Sequence, residues 1–243
     1  MKRTSKEKLD DSALLELMRL IVDNDFDRVV ALINSSAGLL RQPLITGATR
    51  KTASQFYFPK ISHYLMAGDT SLHVAAAGYR TQIVSFLLKN DADVRARDRL
   101  GAEPLHYASD GGLNLHLWDP KKQGETISLL VKAGADLDAV NKLGVAPLHR
   151  AVRQRCLNAV TTLVNLGADV MLRNASGSTP LHLAVQNTGK GGSASLEAKE
   201  MQGKIILFLL DAGANPDARD GRGKTPRQQA KSSWVRSLLD EKA

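Results

Sequence analysis

The tripeptide Pro-Leu-His recurs along this chain, and internal repetition constrains a fold more tightly than any other sequence signal because it makes the chain an array. Three copies stand at Pro104-Leu105-His106, Pro147-Leu148-His149 and Pro180-Leu181-His182. A variant occupies Ser71-Leu72-His73, and a decayed copy Pro226-Arg227-Gln228. His73 and His106 lie 33 residues apart, as do His149 and His182. The intervals from His106 to His149 and from His182 to Gln228 are 43 and 46, so insertions of 10 and 13 residues interrupt the unit.

The rest of the unit repeats too. Gly177-Ser178-Thr179-Pro180-Leu181-His182 aligns with Gly144-Val145-Ala146-Pro147-Leu148-His149. Apolar triplets at Phe86-Leu87-Leu88, Leu129-Leu130-Val131, Thr162-Leu163-Val164 and Phe208-Leu209-Leu210 each precede a turn, at Asp91-Ala92-Asp93, Gly134-Ala135-Asp136, Gly167-Ala168-Asp169 and Gly213-Ala214-Asn215. A unit of about 33 residues carrying Thr-Pro-Leu-His resembles the ankyrin repeat, closely from Gly68 to Asp220 and weakly on either side. The resemblance implies an all-α fold, an ankyrin-repeat solenoid of stacked helix-turn-helix units with β-hairpin-like loops, about six repeats including degenerate terminal caps.

Local chemistry agrees with that reading. Proline suits a first helical turn, where its fixed φ fits and its missing N–H has no partner to lose. Thr70, Thr179 and Thr225 are placed to cap the helices they precede; Ala146 cannot, and Glu103 offers only charge to the positive helix end. Gly134, Gly167 and Gly213 follow second helices, where a left-handed residue closes the carbonyl end, and Asp91 takes that place at greater cost. Asp119-Pro120 and Ser195 read as starts of lengthened second helices after the insertions, the latter running to Leu210 despite Gly203. Four of the six histidines (His73, His106, His149, His182) are signature positions, which the resemblance assigns to hydrogen bonds within and between repeats; His63 and His116 are unassigned.

The organisation follows from where the pattern starts, lapses and ends. Residues 1–10 are charged and expected to be loose. A single ankyrin-repeat domain then covers 11–243: a degenerate N-terminal cap repeat (11–45), an insertion (46–67), repeats at 68–98, 99–140, 141–173 and 174–219, and a C-terminal cap repeat (220–243). Asp11 or Ser12 caps the first helix, whose face is Leu14, Leu17, Met18 and Ile21. The insertion carries the aromatics Phe56, Tyr57, Phe58 and Tyr64, expected to fold onto repeats one and two in preference to anchoring a partner.

No metal-ligand spacing, dinucleotide fingerprint or recognisable nucleophile appears, and Lys190 between glycines lacks the phosphate-loop order. No cofactor, metal or small-molecule substrate is expected. Cys156 is the only cysteine, so no internal disulfide can form; burial is expected to outweigh any activation by Arg153 and Arg155. No apolar run is long enough for a membrane span and the first residues lack a signal-peptide core, so a cytoplasmic location without membrane association is expected.

The formal net charge of +8 favours an acidic partner. The resemblance implies a non-catalytic protein-binding scaffold whose contact positions are its fingertips and palm. On this sequence the fingertips are Arg99, Leu100 and Ala102; Lys142, Leu143 and Val145; Ala175, Ser176 and Ser178; Arg222 and Lys224. The palm is Asp110, Arg153, Gln154, Gln186 and Asn187. The expectation is a groove centred on repeat four that grips an acidic protein segment, with Arg153, and Arg150 or Arg155 depending on helix rotation, forking onto carboxylates and Trp118 as apolar anchor. The alternative is nucleic-acid binding, suggested by pI ≈ 9.6 but without a binding motif or interleaved aromatics. An enzyme using His116, Asp110 and Cys156 is the least favoured reading.

Overall fold

Residues 11–111, 118–186 and 195–241 are described by a computed structural model. Their α-helices follow one another in pairs: α1 (Ser12–Asp23) with α2 (Phe26–Ser35), α3 (Ser71–Ala77) with α4 (Thr81–Lys89), α5 (Pro104–Ala108) with α6 (Pro120–Lys132), α7 (Pro147–Arg153) with α8 (Leu157–Asn165), α9 (Pro180–Ala184) with α10 (Leu196–Asp211), and α11 (Pro226–Gln229) with α12 (Ser233–Asp240). First helices stack on first helices and second on second along the whole series. Each pair therefore buries its apolar face against its neighbours, not around a common centre. Leu72, Leu105, Leu148 and Leu181 are buried between the first helices, and Leu87, Leu130, Leu163 and Leu209 between the second. This is the all-α solenoid expected.

The signature histidines stitch the stack. In each, Nδ1 accepts the N–H of its own N-cap residue: Thr70, Glu103, Ala146 and Thr179, at 3.1–3.3 Å. Nε2 faces the carbonyl of the following loop, at Ala102, Val145, Ser178 and Lys224, 3.0–3.2 Å away. With Nδ1 accepting, Nε2 carries the proton and donates it, so the rings are neutral. Ala146, with no capping side chain, still has its amide satisfied. Gln228 keeps the first bond, its Oε1 accepting from Thr225 N–H at 3.1 Å.

Thr70 and Thr179 form capping boxes with the histidines three residues on, their hydroxyls 3.0 and 2.9 Å from the Nδ1 atoms of His73 and His182. One capping expectation is corrected. Asp11 does not cap α1; its carboxylate accepts from the N–H groups of Ile45 and Thr46 at 2.9 Å and from the Thr46 hydroxyl at 2.7 Å. The other starts stand: Asp119 accepts from Lys121 and Lys122 N–H, and Ser195 from Ala198 N–H.

Between pairs, the loops form a row of fingers. Asp98, Asn141, Asn174 and Asp220 each accept, through Oδ1, the N–H groups two and four residues on. Neighbouring tips are zipped by Arg99 N–H to Ala67 O, Lys142 N–H to Leu100 O, Ala175 N–H to Leu143 O and Gly221 N–H to Ser176 O. Gly144 has φ +67°, and a Cβ there would come within 2.5 Å of Ala175 N. Gly144→Ala is therefore expected to cost about 1–3 kcal/mol, read as a lowered urea midpoint; an unmoved midpoint would mean the next finger can retreat.

The turn inside each pair explains how insertions are tolerated. In α3/α4 and α7/α8 the carbonyls of Ala75 and Ala151 accept from the backbone N–H groups of Arg80 and Cys156, at 3.0 and 2.9 Å. Where the turn is expanded, a side chain takes over: Gln123 Nε2 donates to Ala108 O at 3.0 Å, and Gln202 Nε2 to Ala184 O at 2.6 Å. All four alanines stand two residues after a signature histidine.

Residues 46–67 fold back over the first helices. Ala48 N–H to Leu65 O and Leu65 N–H to Phe56 O fix the base, and a short antiparallel pair, β1 (Tyr57–Phe58) with β2 (His63–Tyr64), forms the tip. The aromatics divide: Phe56 and Phe58 pack against the core, while Tyr57 and Tyr64 stack on each other at the surface. The tip reaches beyond the second helix pair, since His63 lies on the Tyr107 ring of α5 at 4.4 Å.

Candidate protein-binding groove

The inner surface of the stack is made by the finger loops and the carboxyl ends of α3, α5, α7, α9 and α11. Its first half is covered by the 57–64 hairpin, and beside that cover lies a half-buried polar cluster. Arg150 on α7 forks onto Asp110, Nε to Oδ1 at 2.8 Å and Nη2 to Oδ2, and its Cζ stands 5.3 Å from the Tyr107 ring centroid. Burial works against the guanidinium charge, but Asp110 reverses this and holds the Arg150 pKa above its ordinary value. Arg150 is thus not available to a partner. The forked carboxylate contact expected of it is made within the chain, to the palm residue Asp110, and the two side chains stay half-buried together.

Two more expected contacts are corrected. Arg155 has φ +61°, and its Nη2 donates to Gln186 O at 2.8 Å; α7 ends at Arg153, so this side chain leaves the helix face and closes onto α9. Trp118 is half-buried against the core, its Nε1–H donated to Gln123 Oε1 at 2.9 Å. It fills space under the expanded turn and is no exposed anchor. Asn187, His116 and Lys190 lie outside the described residues.

Of the other expected positions, the fingertips Ala102 and Ser178 are buried, because they sit at the finger bases, and most of the rest are exposed. Arg153 and Gln154 face solvent, as do Arg99, Lys142, Arg222, Lys224 and the side of Gln186. Leu100 and Leu143 are exposed fingertips, at 45% and 66%. Val145 is half-buried at a finger base, its N–H given to Asn141 and its carbonyl taken by His106. Ion pairs among the described residues occupy Arg28, Arg41, Lys60, Arg97, Lys122, Arg150, Lys204 and Arg227; among the many cations without a carboxylate partner there, Arg153, Arg222, Lys224 and Lys231 lie in the open half of the groove.

Three of those four cations share one cavity of about 460 Å³, lined by Ser176, Ser178, Gln186, Asp220, Arg222, Lys224, Gln228, Gln229 and Lys231. Asp220, the only acid among its described lining residues, accepts from Gln229 Nε2 at 2.7 Å and from two backbone amides. Lys231 and the α11 glutamines were absent from the sequence-derived contact set because the decayed signature hides that α11 lines the groove.

Two family models match the chain: ankyrin repeats, in three copies, over residues 120–220, and a single ankyrin repeat over residues 67–99. The chain belongs to the ankyrin repeat family. A search of curated proteins found no match. Ankyrin repeats are generally protein–protein interaction modules. No helix among the described residues is long and apolar enough to cross a membrane. The Cys156 thiol is buried, with Sγ 3.0 Å from Gln123 Oε1, and burial pushes its pKa up to about 11. A thiol so placed in this ankyrin stack is a poor nucleophile.

Proposed function

We propose that this ankyrin protein is a non-catalytic cytoplasmic scaffold that holds an acidic segment of a partner protein in the second half of its inner groove. The reading is carried by one observation: the cavity in which Arg222, Lys224 and Lys231 converge without carboxylate partners among the described residues. Arg153 extends the basic track towards α7, and Leu143 offers an apolar contact at the adjoining fingertip. The centre of the site thus moves from the fourth helix pair towards the fifth and sixth. A rigid frame suits the task because little conformational entropy is lost on association.

Fluorescent octaglutamate is the first probe. The pair Arg222→Glu with Lys224→Glu is expected to weaken its binding by about tenfold or more, since like charges then face each other in a confined groove, and Arg153→Glu by less. Binding should also weaken as salt is raised. Unchanged affinity in the double variant, or tighter binding of single-stranded DNA than of octaglutamate, would sink the assignment.

A further inference from the structure

The hairpin over the inner groove is held unevenly. Its base is buried through Leu44, Ala48 and Leu65, whereas the tip is held by two apolar side chains, Phe58 against the core and Ile61, and by two weaker contacts. Ile61 packs so closely on Gly78, at the end of α3, that a Cβ there would come within 2.9 Å of Ile61 Cγ2. His63 lies on Tyr107, and Lys60 Nζ meets Asp23 Oδ1 at 2.5 Å with both side chains at least half exposed. An exposed pair of this kind adds little. Against docking stands His63 Nε2, buried with no hydrogen-bond partner, which forfeits the hydration it would have if the tip were lifted. The tip covers Tyr107, and Tyr107 carries the Arg150 guanidinium on its ring. The covered surface is therefore continuous with the open groove.

We propose that residues 57–64 are a displaceable strap, an internal occupant of the inner face of the second and third helix pairs that yields to a partner segment extending from the open half of the groove onto Tyr107. This rests on the groove reading above. Lifting the tip solvates His63 and uncovers an aromatic ring beside Arg150, so a partner with an acidic stretch followed by an aromatic or aliphatic residue fits the enlarged site.

Two substitutions push the strap in opposite directions. Gly78, the residue that ends α3, has φ −89° and ψ −1°, a conformation open to L-residues, and a Cβ there meets Ile61 Cγ2 at 2.9 Å and the flexible Arg80 side chain at 3.2 Å, so Gly78→Val introduces a wedge under Ile61 that also displaces Arg80. His63→Phe removes the unpartnered nitrogen and keeps a ring on Tyr107, so it clamps the tip. Hydrogen exchange without any ligand is expected to be about tenfold faster over 57–65 in the wedge variant and slower in the clamp variant, with α3 and α5 unchanged. Gly78→Ala, a smaller wedge, replaces the valine variant if α3 itself loosens.

Titration with octaglutamate extended by a terminal phenylalanine then follows, and the wedge should bind it tighter and the clamp weaker, each by several-fold, because the added ring alone can use the uncovered Tyr107. Exchange over 57–65 that matches α5 in every variant overturns the strap. An opened wedge variant with parental affinity overturns it as well. Absence of octaglutamate binding in all three proteins condemns the groove reading, and the exchange data still decide whether the tip lifts.

Discussion

Replacing Gln123 with leucine is expected to cost the stack about 3 kcal/mol or more, because several buried polar groups lose their partner at once. Its Nε2 donates to the carbonyls of Ala108 and Asp110, at 3.0 and 2.9 Å, and its Oε1 accepts from Trp118 Nε1 at 2.9 Å and from Cys156 Sγ at 3.0 Å. Leucine satisfies none of them, and the residue is fully buried, so water does not readily substitute. The melting temperature should fall by roughly 6–12 °C, with exchange protection lost first in α5 and α6, since repeats depend chiefly on their neighbours. Gln123→Glu separates the two halves of the interaction. It keeps the acceptor for Trp118 and Cys156 but donates to the carbonyls only when protonated, so its deficit relative to the parent should shrink in acid. A parental melting temperature for Gln123→Leu would show that the expanded turn closes without this amide.

The solenoid is legible in the sequence because its determinants are local. Pro-Leu-His, the glycines after second helices, and the Asp119 and Ser195 caps all act within a few residues of themselves. The groove is less legible because its chemistry is set across repeats. Nothing near Arg150 announces that its partner is Asp110, 40 residues earlier; a run of arginines reads as a free basic face until the stack brings the acid to it. The decayed Pro226-Arg227-Gln228 signature conceals a real inner helix for a similar reason, since Gln228 needs only an acceptor to replace half of the histidine's work. Gln123 and Gln202 did leave a signal. Each precedes an isoleucine by four residues and a leucine by seven (Ile127 and Leu130; Ile206 and Leu209), so each is a polar residue on the apolar face of a helix. A buried amide there has to hydrogen-bond to something, and the carbonyls stranded by an expanded turn are the available acceptors.

Mild acid is expected to destabilise the stack strongly, and the sign follows from the histidines. Burial lowers the pKa of His63 to about 3 and those of His73 and His106 to about 4, and it lowers His149 as well. A group whose folded pKa is depressed contributes stability that is complete above its unfolded value, near 6.5, and is lost as pH falls towards the folded value. His73 and His106 each contribute a slope of about 1.4 kcal/mol per pH unit inside that window, or roughly 4 kcal/mol together between pH 7 and pH 5, whereas protonation of His63 is relieved by lifting the tip. Asp69 opposes them. Its carboxyl, raised by burial to about 7, confers stability that is complete below its unfolded value near 3.8 and lost as pH rises through 7, so acidification to pH 5 returns roughly 2 kcal/mol; Glu103, also raised by burial, acts in the same direction. The geometry around Asp69 demands a proton. Tyr107 Oη lies 2.7 Å from Asp69 Oδ1 and 2.9 Å from Asp98 Oδ2, and one phenolic hydrogen cannot serve two carboxylates. With Asp69 protonated, its O–H donates to Tyr107, Tyr107 donates to Asp98, and Oδ2 still accepts from Met66 N–H at 2.7 Å. Asparagine reproduces that pattern without titrating. The parent is therefore expected to lose about 2 kcal/mol on going from pH 7 to pH 5. Asp69→Asn should match or exceed the parent at pH 8 and lose more than the parent in acid, because the compensating carboxyl is gone. Urea titrations at pH 8, 7, 6 and 5 read both slopes, and a parent whose stability is level across that range would mean that its histidines are hydrated and free to take up protons.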